Sequence, residues 1–312
     1  MENKKKVAFC GVWHVHAHDY YKKANELAEI VGVWEKDPVR RSEFCKQYGL
    51  HEFKTLDELL ASDADGVIVT SASCDHAEHM IKIANAKKDI FTEKVLALTT
   101  EDCLKVKEAV ERNGVQFVIS LFWKYNPRVK TVKKIIDSGE LGRINYLRFH
   151  NSHSGETAHW LPEHFYNKEE CGGGALVDLG AHGMYITEWI LGMPVSCKTY
   201  LGHCYPNEVE DNAVAVMGFE SGAVAVNETS FVSMCCPEVL EIGGERGYVY
   251  FRGTGDVIKA TLDTEKKSVS EPICEADPLP VVQFLTNNVL PGCGIEEGIR
   301  LTKMMELASG RK

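Results

Sequence analysis

Histidines alternate in a short stretch near the N-terminus, where either metal or nucleotide chemistry is possible. An apolar run over residues 7–10 leads to Gly11, and His14, His16 and His18 follow at every second position. Alternate residues of an extended segment face the same side, so these three imidazoles could converge on one metal ion. A strand that ends in a glycine turn before a helix could instead hold a pyrophosphate on backbone N–H groups. The stretch by itself leaves both possibilities open.

An acidic residue further along the chain favours the nucleotide. Glu35 ends the second predicted strand, about 20 residues after the turn, where an acid can bind the adenosine ribose hydroxyls and repel a 2′-phosphate. The position therefore favours NAD, although Lys36 beside it keeps NADP possible. Trp13 and His16 stand where the second and third glycines of such a turn are usual, so the motif is weak on its own.

Two further segments carry groups suited to proton transfer. Glu93 and Lys94 follow an apolar segment that is predicted as a parallel strand, at the edge where ligands gather in such sheets. A lysine near a cationic nicotinamide could have a lowered pKa and take part in proton transfer. Asp178 and His182 are four residues apart and are expected to share one face of a helix, where the carboxylate would orient the imidazole as a proton acceptor. Taken alone, each pair is also compatible with a surface ion pair.

The elements that would position these groups follow two patterns. Up to residue 121, short apolar strands are separated by helical segments, which predicts a parallel, doubly wound sheet. After residue 121, alternating segments joined by glycine turns predict an open, mostly antiparallel sheet with helices on one face. We therefore expect an α/β protein with a dinucleotide-binding Rossmann domain over residues 1–121 and an α+β domain over residues 122–312.

The composition excludes several classes of partner. The 312 residues carry a formal net charge of −10 and a hydrophobic fraction of 44%, which is typical of a soluble globular protein. The negative charge argues against nucleic acid or an anionic membrane as the main partner. The 11 cysteines form no CxxC pair, and no signal peptide or membrane-spanning run is evident. We therefore expect reduced thiols, no zinc bound by cysteines and a cytoplasmic location.

Six segments, taken in order, resemble the glucose–fructose oxidoreductase/inositol dehydrogenase (Gfo/Idh/MocA) family. They are VAFCG, VIVTSASCDHAEH, FTEKVLAL, WKYNPRVKTVKKIIDSGELGRI, GGGALVDLGAH and GIEEGIRLTKMMELA. The resemblance implies an enzyme that transfers hydride between NAD, or NADP, and a hydroxyl or keto group of a sugar, polyol or related small molecule. It also implies that the second domain binds the substrate and forms a homo-oligomer, a dimer or a tetramer, through the open face of its sheet.

The same resemblance assigns roles to individual residues. By analogy, His182 would take the hydroxyl proton, Asp178 would help orient the site, and Lys94 would bind and polarise the reacting oxygen. The cofactor-binding positions are Gly11, Val12, Trp13, His14, Val15, Glu35, Ser71, Ala72, His76, Glu93 and Lys94. The backbone N–H groups of Trp13, His14 and Val15 are expected to be available to the pyrophosphate. Further substrate contacts are expected from Tyr125, His153, His159, Trp160, His164 and Tyr166.

Three residues depart from the family pattern and keep two alternatives open. Val95 stands where the family has proline, and Trp13 and His16 stand where it has glycines. One alternative is a non-catalytic member that binds a dinucleotide as a sensor. The other is a metal-dependent hydrolase using His14 and His16, which would need eight βα units where the chain offers five at most. As a modified dinucleotide turn, the stretch needs no metal, and His18 is expected one turn into the next helix, facing away from the cofactor.

Overall fold

The computed structural model describes residues 4–310. They form two compact units. The first comprises the chain up to Ser120 together with Pro278–Thr302, and the second comprises Leu121–Asp277 together with the residues that follow Thr302. None of the described helices combines the length and the apolar character that crossing a membrane requires.

The first unit is built on five parallel strands. They are β1 (Lys6–Cys10), β2 (Glu29–Trp34), β3 (Gly66–Val69), β4 (Asp89–Thr92) and β5 (Phe117–Ile119). Their order in the sheet is β2-β1-β3-β4-β5, and the central strands are almost wholly buried, as expected of a sheet covered on both faces. The direction of winding reverses between β1 and β3. Ligands bind at such a point, beyond the carboxyl ends of the two strands.

Helices connect these strands in the predicted alternation. They are α1 (Ala17–Leu27), α2 (Pro38–Tyr48), α3 (Leu56–Ala61), α4 (His76–Asn85) and α5 (Thr100–Asn113). The side chains of Asp37 and Thr99 accept backbone N–H bonds in the first turns of α2 and α5, and Gly49 and Gly114 end these helices in the left-handed conformation. The predicted parallel, doubly wound sheet is confirmed.

The second unit contains an eight-stranded sheet. Its strands are β6 (Ile144–Ser152), β7 (Ser196–Gly202), β8 (Asn212–Gly218), β9 (Val224–Ser230), β10 (Val239–Gly244), β11 (Gly247–Arg252), β12 (Val257–Thr261) and β13 (Val269–Glu271). The order is β13-β12-β11-β10-β6-β9-β8-β7, and only β6 and β9 pair in parallel. The helices are α6 (Pro127–Asp137), α7 (Lys168–Cys171) and α8 (Gly180–Leu191). The predicted mostly antiparallel sheet is confirmed.

The two faces of this sheet differ. Leu147 and Phe149 of β6 are fully buried on the face against which α8 packs. On the other face, Tyr146 alternates with them and is 39% exposed, while Arg148 pairs with Glu228 and with Glu241. Further exposed apolar side chains on strands of this sheet are Tyr200, Val214, Val216, Val224 and Tyr248. This open face carries apolar area that packing within the described chain does not bury.

Residues 278–302 group with the first unit, although the predicted division at residue 121 placed them in the second. They contain α9 (Pro280–Leu285) and the first part of α10 (Ile295–Ser309). Phe284 is fully buried with its ring 5.9 Å from that of Phe91, and the carbonyl oxygen of Cys293 accepts the Ile119 N–H at 2.8 Å. The six-residue α9 is too short to show a helical period in the sequence, so its apolar contacts with the first sheet could not be predicted.

Candidate active site

The turn after β1 lies directly against the turn after β3. Gly11 has φ +87°, and a Cβ built on it would lie 2.4 Å from the backbone N and Cα of Ser71. The Thr70 hydroxyl donates to the Gly11 carbonyl oxygen at 2.7 Å, and the His14 N–H donates to the Thr70 carbonyl oxygen at 3.0 Å. Only glycine allows this conformation and this close approach together. The structure thus explains the glycine at the predicted nucleotide-binding turn.

Glu35 fixes the same turn from the end of β2. Its side chain is buried, and its Oε2 accepts the Val12 N–H at 2.7 Å. Its Oε1 accepts the Asp37 N–H at 3.0 Å and lies 3.4 Å from a guanidinium nitrogen of Arg40. Each carboxylate oxygen has two acceptor sites, so Glu35 keeps capacity for a ribose hydroxyl. The His14 N–H, however, was expected to face a pyrophosphate and is instead bound to Thr70; Val15 is half-buried in the same turn.

Two buried histidines of α4 support the turn after β3. His76 lies between two carbonyl oxygens, with Nδ1 2.8 Å from that of Val95 and Nε2 3.0 Å from that of Ser71. His79 places Nδ1 3.0 Å from the Ser71 hydroxyl. Burial lowers the pKa of His76, and burial lowers the pKa of His79 to about 4, so the His79 ring is neutral at pH 7. The predicted positions Ser71, Ala72 and His76 are all buried at this edge of the sheet.

Glu93 and Lys94 follow β4 at the same edge. Both side chains are buried, Glu93 completely and Lys94 to within 4%. The Lys94 N–H donates to Glu93 Oε2 at 3.0 Å. The Lys94–Val95 peptide bond is cis, at the position where proline is usual in the resembled family. The surface ion pair that the sequence also allowed is excluded for this pair by its burial.

Two of the three alternating histidines meet Glu93. One ligand atom from each of His14, His16 and Glu93 lies within 4.8 Å of the other two, and His16 Nδ1 is 2.8 Å from Glu93 Oε1. The Tyr20 hydroxyl donates to Glu93 Oε1 and also lies 2.7 Å from the Ser120 hydroxyl. Burial opposes ionisation of Glu93, but the charges of His14, His16 and Lys94 hold its pKa well below the usual range.

His18 does not belong to this group. It is exposed in the first turn of α1, places Nδ1 2.8 Å from the Tyr48 hydroxyl and packs against the ring of Phe44. The three-histidine site considered as an alternative is therefore not formed. His18 does lie in the predicted helix, although at its second residue rather than one full turn in.

The residues at this edge fit a dinucleotide. Gly11 gives the close turn, α1 begins six residues later with its N–H groups towards the carboxyl ends of the strands, and Glu35 stands at the end of β2. The bulky Trp13 is only 4% exposed, so its indole packs into the protein. The departure from the usual glycine pattern therefore does not by itself block the crevice.

His182 is the most clearly oriented base candidate of the second unit. It lies in the first turn of α8 and is 2% exposed. Its Nδ1 is 2.9 Å from the Tyr185 hydroxyl, which accepts the Trp123 N–H at 3.1 Å, and its ring lies 4.8 Å from that of Phe122. When Nδ1–H donates to Tyr185, the lone pair of Nε2 is left to accept a proton.

Asp178 precedes α8, which corrects the expectation that it shares a helix face with His182. The helix begins at Gly180, and Asp178 lies half-buried in the preceding turn, where its N–H donates to the Gly174 carbonyl oxygen at 3.0 Å. The buried Glu210 holds this turn, because its Oε1 accepts the N–H groups of Gly174 and Leu176, both at 3.0 Å. A Cβ on Gly174 would lie 1.9 Å from the Glu210 carbonyl oxygen, which explains one of the three consecutive glycines.

The predicted substrate residues differ in how far their side chains are exposed to solvent. His153 stacks on Phe231 with ring centroids 5.0 Å apart and lies 4.7 Å from the Trp160 ring. Trp160 is 49% exposed and His159 is exposed with φ +53°. Tyr125 is buried, and His164 and Tyr166 are half-buried. Burial, together with Glu156 beside it, raises the pKa of Tyr166 well above its usual value.

Several residues that shape these groups were not predicted. The Tyr20 hydroxyl binds Glu93 and also the Ser120 hydroxyl. The Tyr185 hydroxyl binds His182, and Glu210 holds the glycine turn. A further one, Asn227 of β9, donates to the Gly180 carbonyl oxygen at 2.7 Å. Among these residues only Glu210 carries a sequence signal, because it forms an acidic pair with Asp211 directly before β8. The others have no distinctive spacing in the sequence.

Known protein families and proteins match most of the chain. An oxidoreductase-family model with an NAD-binding Rossmann fold (GFO_IDH_MocA) matches residues 5–121, and a GFO/IDH/MocA C-terminal domain model matches residues 129–250. Among curated proteins, scyllo-inositol 2-dehydrogenase (NAD(+)) of Bacillus subtilis (strain 168) is 24% identical over 265 residues, which cover 80% of this chain and 74% of that protein.

Two solved structures show the same fold. The WlbA dehydrogenase from Bordetella pertussis, in complex with NADH and UDP-GlcNAcA, superposes with a TM-score of 0.80 at 19% identity and covers 99% of this chain and 96% of its own. GenD2 from gentamicin A biosynthesis, in complex with NAD, gives a TM-score of 0.82 at 22% identity over 99% and 94% of the two chains.

Proposed function

The chain belongs to the Gfo/Idh/MocA family of NAD-binding oxidoreductases, and on this premise we propose that it oxidises a hydroxyl group of a sugar, polyol or related compound with NAD. The observation that carries the proposal is the turn at Gly11, which is held against β3 and tied to Glu35 at the point where the sheet reverses its winding. This arrangement matches what a dinucleotide needs. NAD bound there supplies the acceptor for a hydride.

The charge of Glu35 supports NAD over NADP. Its carboxylate is held at the end of β2 by the Val12 and Asp37 N–H groups, where it can accept a ribose hydroxyl and would repel a 2′-phosphate. Arg40 partly offsets that charge at 3.4 Å, and the exposed Lys36 lies beside it. NADP is therefore the weaker of the two ligands rather than an excluded one.

The proposed roles of the reacting groups follow from their chemistry. His182, held through Nδ1 by Tyr185, takes the proton from the substrate hydroxyl at Nε2. Lys94, buried to within 4%, binds and polarises the reacting oxygen. Asp178 precedes the helix of His182 and helps to orient the substrate. These assignments rest on the resemblance for the choice of residues and on burial and hydrogen bonding for their state.

The substrate contacts are proposed from residues 159–166 and from Tyr125. Trp160 and His159 expose aromatic and polar surface, which suits the C–H and O–H groups of a polyol. Tyr166 with its raised pKa stays a neutral phenol that can donate or accept a hydrogen bond. Tyr125 and His164 are proposed as additional contacts. The names of relatives support the substrate class: one is an inositol dehydrogenase and one was crystallised with a nucleotide sugar.

The assembly and the location are further parts of the proposal. The open face around Tyr200 and Val216 exposes contiguous apolar side chains, which favours a homo-oligomer that buries them. Light scattering should therefore give at least a dimer, and Val216→Lys should shift it towards monomer. The cysteines of the described chain are thiols rather than disulfides, which is typical of a reducing compartment and supports a cytoplasmic location.

A substrate panel tests the proposed activity. The protein would be incubated with NAD, and in parallel with NADP, and with myo- and scyllo-inositol, glucose 6-phosphate and nucleotide sugars, while NADH or NADPH absorbance is followed. We expect reduced cofactor with at least one polyol or sugar, and faster with NAD. Tight NAD binding without turnover on any member of the panel would instead indicate the non-catalytic sensor.

A further inference from the structure

The turn after β1 carries a set of metal-binding atoms that dinucleotide binding does not require. We propose that His14, His16 and Glu93 form a binding site for a divalent cation of the zinc type. The metal site considered from the sequence joined His14, His16 and His18, and it contained no carboxylate. The fold separates His18 from the other two and brings Glu93 to them from the end of β4.

The three residues offer the right atoms at the right separation. One ligand atom from each lies within 4.8 Å of the other two, so small side-chain rotations bring all three within bonding distance of one ion. Two imidazoles and one carboxylate form the ligand set of many zinc sites that keep a fourth position open. Such nitrogen and oxygen ligands favour Zn²⁺ or Co²⁺ over Mg²⁺ and Ca²⁺, which prefer oxygen alone.

The surroundings of Glu93 resemble those of a metal-bound carboxylate. The Tyr20 hydroxyl donates to Oε1 and the Lys94 N–H donates to Oε2, so both oxygens are oriented. Groups that hold a ligand in this way commonly strengthen metal binding. An ion can reach the group from solvent on the side of His16, whose side chain is 33% exposed, although the Glu93 side chain is fully buried.

The metal would replace a proton in this group. His16 Nδ1 and Glu93 Oε1 share a hydrogen bond at 2.8 Å. On binding, Nδ1 loses that proton to solvent and Nε2 carries the proton of the neutral ring, taking one up where it had none. The ion then lies between the Nδ1 lone pair and the carboxylate oxygen, with no change of oxidation state. The ion would lie in the turn that starts at Gly11, where the proposed function places the pyrophosphate of NAD. Zinc and NAD are therefore expected to compete.

Cobalt titration of the untagged, chelator-treated full chain tests the site, because Co²⁺ reports its ligands in its spectrum. We expect one Co²⁺ per chain, displaced by Zn²⁺, with visible bands and without the near-ultraviolet band of a thiolate ligand. His16→Ala, at a half-buried position that tolerates truncation, should weaken binding by about 100-fold or more. His18→Ala is the matched control and should bind as wild type.

Three results would overturn the proposal. They are the absence of stoichiometric cobalt, equal affinity in His16→Ala and wild type, and a thiolate band that assigns the ion to cysteines. Glu93→Gln provides a second variant whose folding is checked by circular dichroism. NAD binding measured by tryptophan fluorescence in metal-free protein examines the proposed function separately. If NAD then binds equally well at saturating zinc, the ion does not lie at the pyrophosphate turn.

Discussion

Replacing Gly11 by alanine probes the contact between the two turns that the cofactor proposal needs. The new Cβ would lie 2.4 Å from the Ser71 backbone, and the residue would have to keep φ at +87°. Backbone atoms cannot move aside like the end of a flexible side chain. Gly11→Ala must therefore either strain the turn or push it away from β3.

The expected loss in free energy of unfolding has two contributions. Gly114 ends α5 at φ +64° with no atom within 4 Å of a built Cβ, so Gly114→Ala carries only the cost of the left-handed conformation, about 1 kcal/mol. Gly11→Ala carries the same cost and an overlap that adds about 1–3 kcal/mol. We therefore expect Gly11→Ala to lower the free energy of unfolding by about 2–4 kcal/mol.

The two variants should also differ in cofactor binding. A displaced turn loses at least one hydrogen bond to a charged phosphate, worth about 1.5–3 kcal/mol, which corresponds to roughly a 10- to 100-fold weaker affinity. Urea unfolding measures the first effect and fluorescence titration with NAD the second. Gly114→Ala should bind NAD as wild type. Equal losses of stability in the two variants, or wild-type NAD affinity in a folded Gly11→Ala, would refute the reasoning.

Three further predictions concern single side chains. Glu35→Gln keeps an acceptor for the Val12 N–H but removes the charge, so the ratio of NAD affinity to NADP affinity should fall by about tenfold. Titrations with both cofactors measure this ratio, and an unchanged ratio would exclude Glu35 as the group that discriminates between them. His79 is neutral in the folded chain because its pKa is lowered to about 4, so its contribution to stability is present above pH 6.5 and is lost as the pH falls through 4. Wild type should lose about 3 kcal/mol of unfolding free energy from this group between pH 6.5 and pH 4. Urea unfolding at several pH values should show that His79→Gln lacks this loss, and equal pH dependence of stability in the two proteins would contradict the prediction. Tyr185→Phe removes the partner of His182 Nδ1 and should lower kcat about tenfold with NAD affinity unchanged, whereas unchanged kcat in steady-state kinetics would show that the phenol does not position the imidazole.

Much of the first unit could be predicted because its signals are local. Periodic apolar segments give the strands and helices, and capping residues such as Thr99 and Gly114 mark where α5 begins and ends. The order of these elements then fixes the sheet edge at which ligands bind. Gly11 and Glu35 were therefore placed correctly relative to the sheet from their positions in the chain alone.

The remaining features depend on contacts between distant segments. Glu93 meets His14 and His16 only because β4 and the turn after β1 end at one edge, and no spacing in the sequence encodes that. Asp178 was expected on the helix that Gly192 ends, but Glu210 holds the preceding glycine turn and α8 begins only at Gly180. The grouping of residues 278–302 with the first unit likewise rests on the burial of Phe284.

The most direct test of the proposed dehydrogenase compares wild type with His182→Ala in one assay. NAD binding is measured by fluorescence and NADH formation by absorbance, on the same samples, with the substrate that the panel identifies. We predict equal NAD affinity and a fall in NADH formation by about 100-fold or more, the usual contribution of a positioned general base. NADH formation at the wild-type rate by His182→Ala would contradict the account.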